Sequence, residues 1–173
     1  PDRLATLTLA GVHASFGHFS PEKQQAFVAA RSKPLIEDGL EPADIAPGAI
    51  SRLAGPNVSD DARSRAIEAA SRLHKHTYIK TVEATTQFDR EHVLGEIDVP
   101  TLVIGGEFDP LTPPDMTRNV AANINGAEYH MIYDVGHLGN LETPVEFNRL
   151  LDQFLARFRD RANVAADPEI LAG

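Results

Sequence analysis

The chain contains no cysteine, which removes disulfides, thiolate metal ligands and a cysteine nucleophile from its own chemistry. That usage fits a reducing compartment, and a cytoplasmic location is the expectation. No apolar run approaches the roughly 20 residues that a bilayer-spanning helix requires, and no basic segment with an apolar stretch and cleavage site opens the sequence. Positive charge is also scarce. Lys and Arg number 16 against 25 Asp and Glu, a formal charge of −9. An acidic surface repels phosphate backbones and anionic lipid headgroups, so neither nucleic acid nor membrane is an expected partner. What remains is an ordinary globular composition, with 42% apolar and 24% charged residues in 173 positions. This suits one domain with a real core.

The apolar segments fall into two styles. "LATLTLAG" (4–11) is a short β-rich run closed by glycine and predicts a buried strand. Ser20–Pro21–Glu22 then supplies an N-cap, a proline at the first helical position and an acid in the first turn. Helical spacing follows over 21–38, 59–74 and 76–88, with Pro42, Pro47 and "GPN" (55–57) expected as breaks. The last third changes character. "VPTLVIGG" (99–106) is apolar enough for a parallel strand covered on both faces. Thr112 with Asp115, around Pro113, predicts a capping box and a helix to about Ile124. "AEYHMIY" (127–133) predicts the next strand, and Thr143–Pro144–Val145–Glu146 a second capping box. The final helix places Phe147, Leu150, Leu151, Phe154, Leu155 and Phe158 on one stripe.

Strand, helical block, strand, helix, strand, helix is the order of an α/β fold with parallel pairing and right-handed crossovers. The expected organisation is a sheet core from 1–19 and 96–160, a helical insertion from 20–95, and a tail from 161–173. Three parallel strands alone would leave a long hydrophobic edge bare, so a cover for that edge is expected.

In a parallel sheet the loops leaving the strands' carboxyl ends gather on one rim, where ligands bind. Asp109 follows the second strand and His137 the third, 28 residues later. That interval holds a turn, a helix and a strand, and so returns the chain to the same rim. A carboxylate beside an imidazole holds one tautomer and stabilises the protonated ring, which is the base half of a nucleophilic triad. Taken singly, Asp before Pro is a common turn residue and a loop histidine is ordinary; their placement after successive strands is the argument. Elsewhere, His74 and His76 are two apart on a predicted helix and share no face, and no set of residues has zinc-ligand spacing. His130 and His92 call for no role. Glu107 and Glu142 flank the two loops and read as structural.

"VPTLVIGGEFDPLTPPD" followed by "VGHLGNLETPVEFNRLLDQFL" resembles the C-terminal portion of an α/β-hydrolase-fold enzyme. The branch it resembles contains 3-oxoadipate enol-lactonases, related carboxylesterases and C–C hydrolases. The resemblance implies catalytic roles for Asp109 and His137, a helical cap over 20–95, and a cofactor-free, metal-free hydrolysis of an ester, lactone or similarly activated carbonyl. His13 and His18, in the loop after the first strand, are candidate substrate contacts or plain loop histidines.

That family places its serine in a G-x-S-x-G elbow ahead of the acid and the base, and no such motif occurs here. His13–Ala14–Ser15–Phe16–Gly17 is the nearest imitation. It carries His13 where the strained turn needs glycine, and its next helix start comes only at Ser20–Pro21. "PDRLATLTLAG" instead resembles the family's sixth strand. The serine, the oxyanion hole and five preceding strands are then expected on an N-terminal part of the same enzyme, as a missing segment or second chain, with a small hydrophobic acyl substrate. Rival expectations are haloperoxidase-like or C–C bond-cleaving activity on the same scaffold, and a non-catalytic binding partner.

Overall fold

The computed structural model describes residues 4–17 and 19–159. Strands β1 (Leu7–Ala10), β2 (Thr101–Gly106) and β3 (Glu128–Ile132) form a parallel sheet in the order β1-β2-β3. Leu7 faces Thr101 across the first pair and Leu102 faces Glu128 across the second. All six residues of β2 are buried, as their continuous apolar run demands of a strand covered on both faces.

The β1-to-β2 connection is the helical block: α1 (Pro21–Ile36), α2 (Pro42–Leu53), α3 (Asp60–Ser71), α4 (Lys75–Thr86) and a 3₁₀ turn over Glu91–Glu96. Helix α1 starts as its sequence dictates, with the Ser20 hydroxyl accepting the Lys23 N–H and Pro21 in the first turn. Helix α2 corrects an expectation. Pro42 begins a helix where a break was read, and Pro47 sits inside it. Proline in the first turn forfeits only an N–H that has no intrahelical acceptor, and Asp44 accepts the Glu41 N–H at 2.8 Å to complete the start. His74 is the N-cap of α4, outside the helix interior expected for it.

Helix α5 (Pro114–Ala122) joins β2 to β3; α6 (Gly139–Glu142) and α7 (Pro144–Ala156) follow. On one face of the sheet, Leu102, Ile104, Ile132 and Val135 meet Leu150 and Phe154 of α7, with Phe147, Leu151 and Phe158 packed alongside. The predicted stripe therefore forms, except that Leu155 turns outward and is exposed. On the other face Val120 and Ile124 pack with Ala14, Leu94, Leu9 and Val12.

Neither predicted capping box in this half forms. Helix α5 begins one residue later than the box requires, with Pro113 rather than Thr112 as its N-cap, and α7 has no side-chain cap from Thr143. Glu146 pairs instead with Arg149, one turn along. The residues 160–173, including the predicted tail, lie outside the described residues. No helix among the described residues is long and apolar enough to cross a membrane.

Candidate active site

The three strands end side by side, and their carboxyl ends build the site. Past β2 the Glu107 N–H donates to Ile132 O at 3.0 Å and the Phe108 N–H to Val135 O at 2.8 Å, so the two strand exits stay laced together. This lacing delivers Asp109 and His137 to one rim. Asp109 Oδ2 accepts from His137 Nδ1 at 2.8 Å. The pairing expected from 28 residues of spacing is thus present as a direct hydrogen bond.

Asp109 is fully buried and its acceptor sites are well used. Oδ1 accepts the N–H groups of Leu111 and Thr112 at 2.8 and 2.9 Å, and Oδ2 accepts the Thr112 hydroxyl at 2.5 Å. Thr112 does not cap the helix its sequence predicts; its hydroxyl goes to the carboxylate instead. Burial pushes the Asp109 carboxyl up, but hydrogen bonds from His137 and Thr112, with the imidazole charge, outweigh it and hold the group below its ordinary range. An ionised Asp109 can only accept, so it fixes the proton of the neutral ring on Nδ1 and leaves Nε2 as the lone-pair nitrogen. His137 retains 25% side-chain exposure, against 0% for the carboxylate. The pair is a buried carboxylate bonded to a partly exposed imidazole.

Glycine makes the close approaches possible. Gly11, at φ +54°, ends β1 directly beneath the ring, and a Cβ there would lie 3.1 Å from His137 Nδ1. Gly136 passes so close to Leu53 O that no Cβ fits between them. Gly139 has no such constraint: a Cβ there would make ordinary contacts at 3.4 Å or more. The cleft over the pair encloses about 280 Å³ and is lined by Gly11, Ile104, Asp109, His137, Asn140 and Phe147.

His13 and Ser15 do not line this cleft. His13 stacks edge-on against Phe16, with ring centroids 4.8 Å apart, and lines a separate open groove with Lys80, Thr81 and Phe88. His18 lies outside the described residues. Ser15 is buried, accepts the Gly17 N–H on its hydroxyl at 2.7 Å and pairs its backbone with Asp89. It borders a small cleft with Glu91 and Met116, which neither Asp109 nor His137 lines. Among the described residues no three His, Asp or Glu side chains gather as a metal-ligand set.

Sequence reasoning also missed what holds the histidine loop. The Glu107 carboxylate accepts the N–H of Asp134, a residue at φ 58°, and the Glu142 carboxylate accepts three backbone N–H groups. Both glutamates are structural, as their flanking positions suggest, but nothing local in the sequence signals which N–H groups they accept.

This chain is 40% identical over 88 residues to a 2-hydroxy-6-oxononadienedioate/2-hydroxy-6-oxononatrienedioate hydrolase of Klebsiella pneumoniae subsp. pneumoniae, a match covering 50% of this chain and 31% of that protein. Its fold is similar to a thermophilic esterase from Thermogutta terrifontis, with a TM-score of 0.77 and 22% identity over 90% of this chain and 57% of the esterase. It is likewise similar to the enol-lactonase from Burkholderia xenovorans, with a TM-score of 0.72 and 23% identity over 88% of this chain and 56% of the lactonase. The chain thus spans little more than half of these structures, and the match covers under a third of the curated relative. The sequence pattern of the alpha/beta hydrolase fold matches residues 18–144. With parallel strands whose carboxyl ends carry an Asp–His pair, the chain belongs to the alpha/beta hydrolase fold family.

Proposed function

We propose that this chain supplies the acid and base of a Ser–Asp–His triad in a hydrolase acting on an ester, lactone or similarly activated carbonyl. The observation that carries the reading is the 2.8 Å bond between a buried Asp109 and Nδ1 of a partly exposed His137. Nε2 takes the proton of a serine hydroxyl as its oxygen attacks the carbonyl carbon. The imidazolium, stabilised by Asp109, then returns that proton to the leaving oxygen as the acyl–oxygen bond breaks. Water, activated by the same nitrogen, releases the acyl group and restores the serine.

The serine and the oxyanion donors come from an N-terminal part of the enzyme carrying G-x-S-x-G, joined to this chain or associated with it. The helical block over 20–95 acts as a cap. A second reading, C–C bond hydrolysis, draws support from the 40% identity to a hydrolase named for 2-hydroxy-6-oxo dienedioates. In that case the proton from Nε2 goes to a carbon leaving group.

The test is fluorophosphonate labelling and turnover of the enzyme with its N-terminal part present. Label on a G-x-S-x-G serine, lost together with ester hydrolysis in His137→Ala, is the expected result. Retained turnover in that variant would sink the triad, and label on Ser15 would overturn the assignment of the nucleophile outside this chain. Turnover of a vinylogous 1,5-diketone in preference to aryl esters would select C–C hydrolysis.

A further inference from the structure

An imidazole is aimed from two ends, by what its ring bonds and by what fixes its backbone. Asp109 deals with the ring. The backbone is held by a different carboxylate, from α6. Glu142 Oε2 accepts the N–H of Gly136 at 3.1 Å and Oε1 accepts that of Leu138 at 3.0 Å, the two residues flanking His137. Oε2 also accepts the N–H of Gly55 at 2.7 Å, and Gly55 lies 87 residues earlier, in the linker from α2 to α3. The amide left between them is engaged by the same linker, because the His137 N–H donates to Leu53 O at 2.7 Å. Three successive amides of the histidine loop are therefore held, two by Glu142 and one by the helical block.

The seam has no slack. A Cβ on Gly55 would stand 2.6 Å from Gly136 N and 2.8 Å from Glu142 Oε2, and one on Gly136 would collide with Leu53 O. Loop and linker are in backbone-to-backbone contact, with a carboxylate closing one side. Hydrogen bonds to an ionised carboxylate are about twice as strong as those between neutral groups. Both Glu142 oxygens are occupied by N–H donors.

We infer that Glu142 is a positioning residue that clamps the His137 loop to the 53–55 linker of the helical block, so that the aim of Nε2 depends on how the block sits on the sheet. This rests on the reading of His137 as the base. A base must be held within about 0.5 Å of its working position, and Asp109 can orient the ring only about a Cα that stays in place. The block is thereby more than a wall of the pocket. Displacing it pulls on the backbone that carries the base.

The experiment compares Glu142→Ala and Glu142→Gln with the unaltered enzyme, N-terminal part included. It reads amide exchange at Gly55, Gly136, His137 and Leu138, the downfield Nδ1–H resonance of His137, and kcat and KM separately. Glu142→Ala is expected to speed exchange at these four amides at least about tenfold and to broaden the Nδ1–H signal. It should lower kcat about 10–100-fold, the size of a small misplacement of a catalytic group, with KM within about threefold. Glu142→Gln keeps one acceptor oxygen and should fall between the two on every readout, and it serves alone if the alanine variant does not fold. Unchanged exchange and an unchanged Nδ1–H signal in a folded Glu142 variant would overturn the inference, as would a loss confined to KM. Failure of the base reading shows itself separately, as turnover that survives His137→Ala while the exchange and resonance effects of the Glu142 variants persist.

Discussion

In the sheet half of the molecule, Leu102, Ile104, Ile132, Leu150 and Phe154 lie sealed between the strands and α7. In the helical block the buried positions include Ser32, Ala46, Ala62 and Ala66 beside Leu35, Ile50 and Val82; both regions also leave large apolar side chains exposed, Ile36, Leu40, Leu73 and Phe88 here and Phe108, Tyr133, Val145 and Leu155 in the sheet half. Apolar burial scales with the area removed from water, so the first region is a stiff frame and the second a lightly fastened attachment. The candidate site residues follow the same division. Asp109 and His137 stand on the frame, yet the frame does not finish the site. Leu53 O and Gly55 N, from the block, complete the hydrogen bonding of the loop that carries the histidine. A loosely packed region thus has a tight grip at one seam.

The sharpest way to probe this division is to damage the frame's chemistry without its packing. Asp109→Asn retains shape but no longer enforces the Nδ1–H tautomer, and turnover should fall roughly 10³–10⁴-fold. Steady-state kinetics with an activated ester reads it, and a loss under tenfold would contradict the orienting role. Packing comes next. Phe154→Ala should cost about 3–5 kcal/mol by denaturant unfolding, whereas Ile50→Ala in the block should cost about 2 kcal/mol. Equal losses would erase the contrast between the regions.

The seam itself is tested by two glycines three residues apart. Gly136→Ala forces a methyl group against Leu53 O and should cost on the order of 1–3 kcal/mol, as overpacking does. Gly139→Ala meets only ordinary contacts and should stay within about 0.5 kcal/mol. Thermal unfolding of both variants decides it.

The smallest effect is confined to acid. Asp109 has a folded pKa below its unfolded value, so the unfolded chain binds the extra proton in the interval between them. Its contribution is complete above the ordinary carboxylate pKa of about 3.9 and is lost as pH falls through the depressed folded value. Asp109→Asn should flatten that part of the stability profile. An unaltered acid limb would show that the carboxylate does not titrate as its surroundings require.

Much of the frame could be read in advance because its signals are local. The continuous apolar run of β2, the Ser20–Pro21 start of α1 and the stripe on α7 each express a short period or a cap within a few residues. The Asp–His pairing was legible too, since parallel strands send their carboxyl ends to a common rim. Helix α2 was harder to read, because Pro42 looks the same whether it stops one segment or starts another.

What the sequence alone determined is therefore the α/β order, the central strand and the two residues at its rim, all set by periodicity and strand direction. Only the tertiary structure decided where the polar groups spend their hydrogen bonds. The Thr112 hydroxyl left a predicted cap for Asp109, and Glu142 gathered the N–H of Gly55, 87 residues before it, with those of Gly136 and Leu138. A donor's choice of acceptor depends on burial and on which backbone arrives nearby, and neither is written in the spacing of residues along the chain.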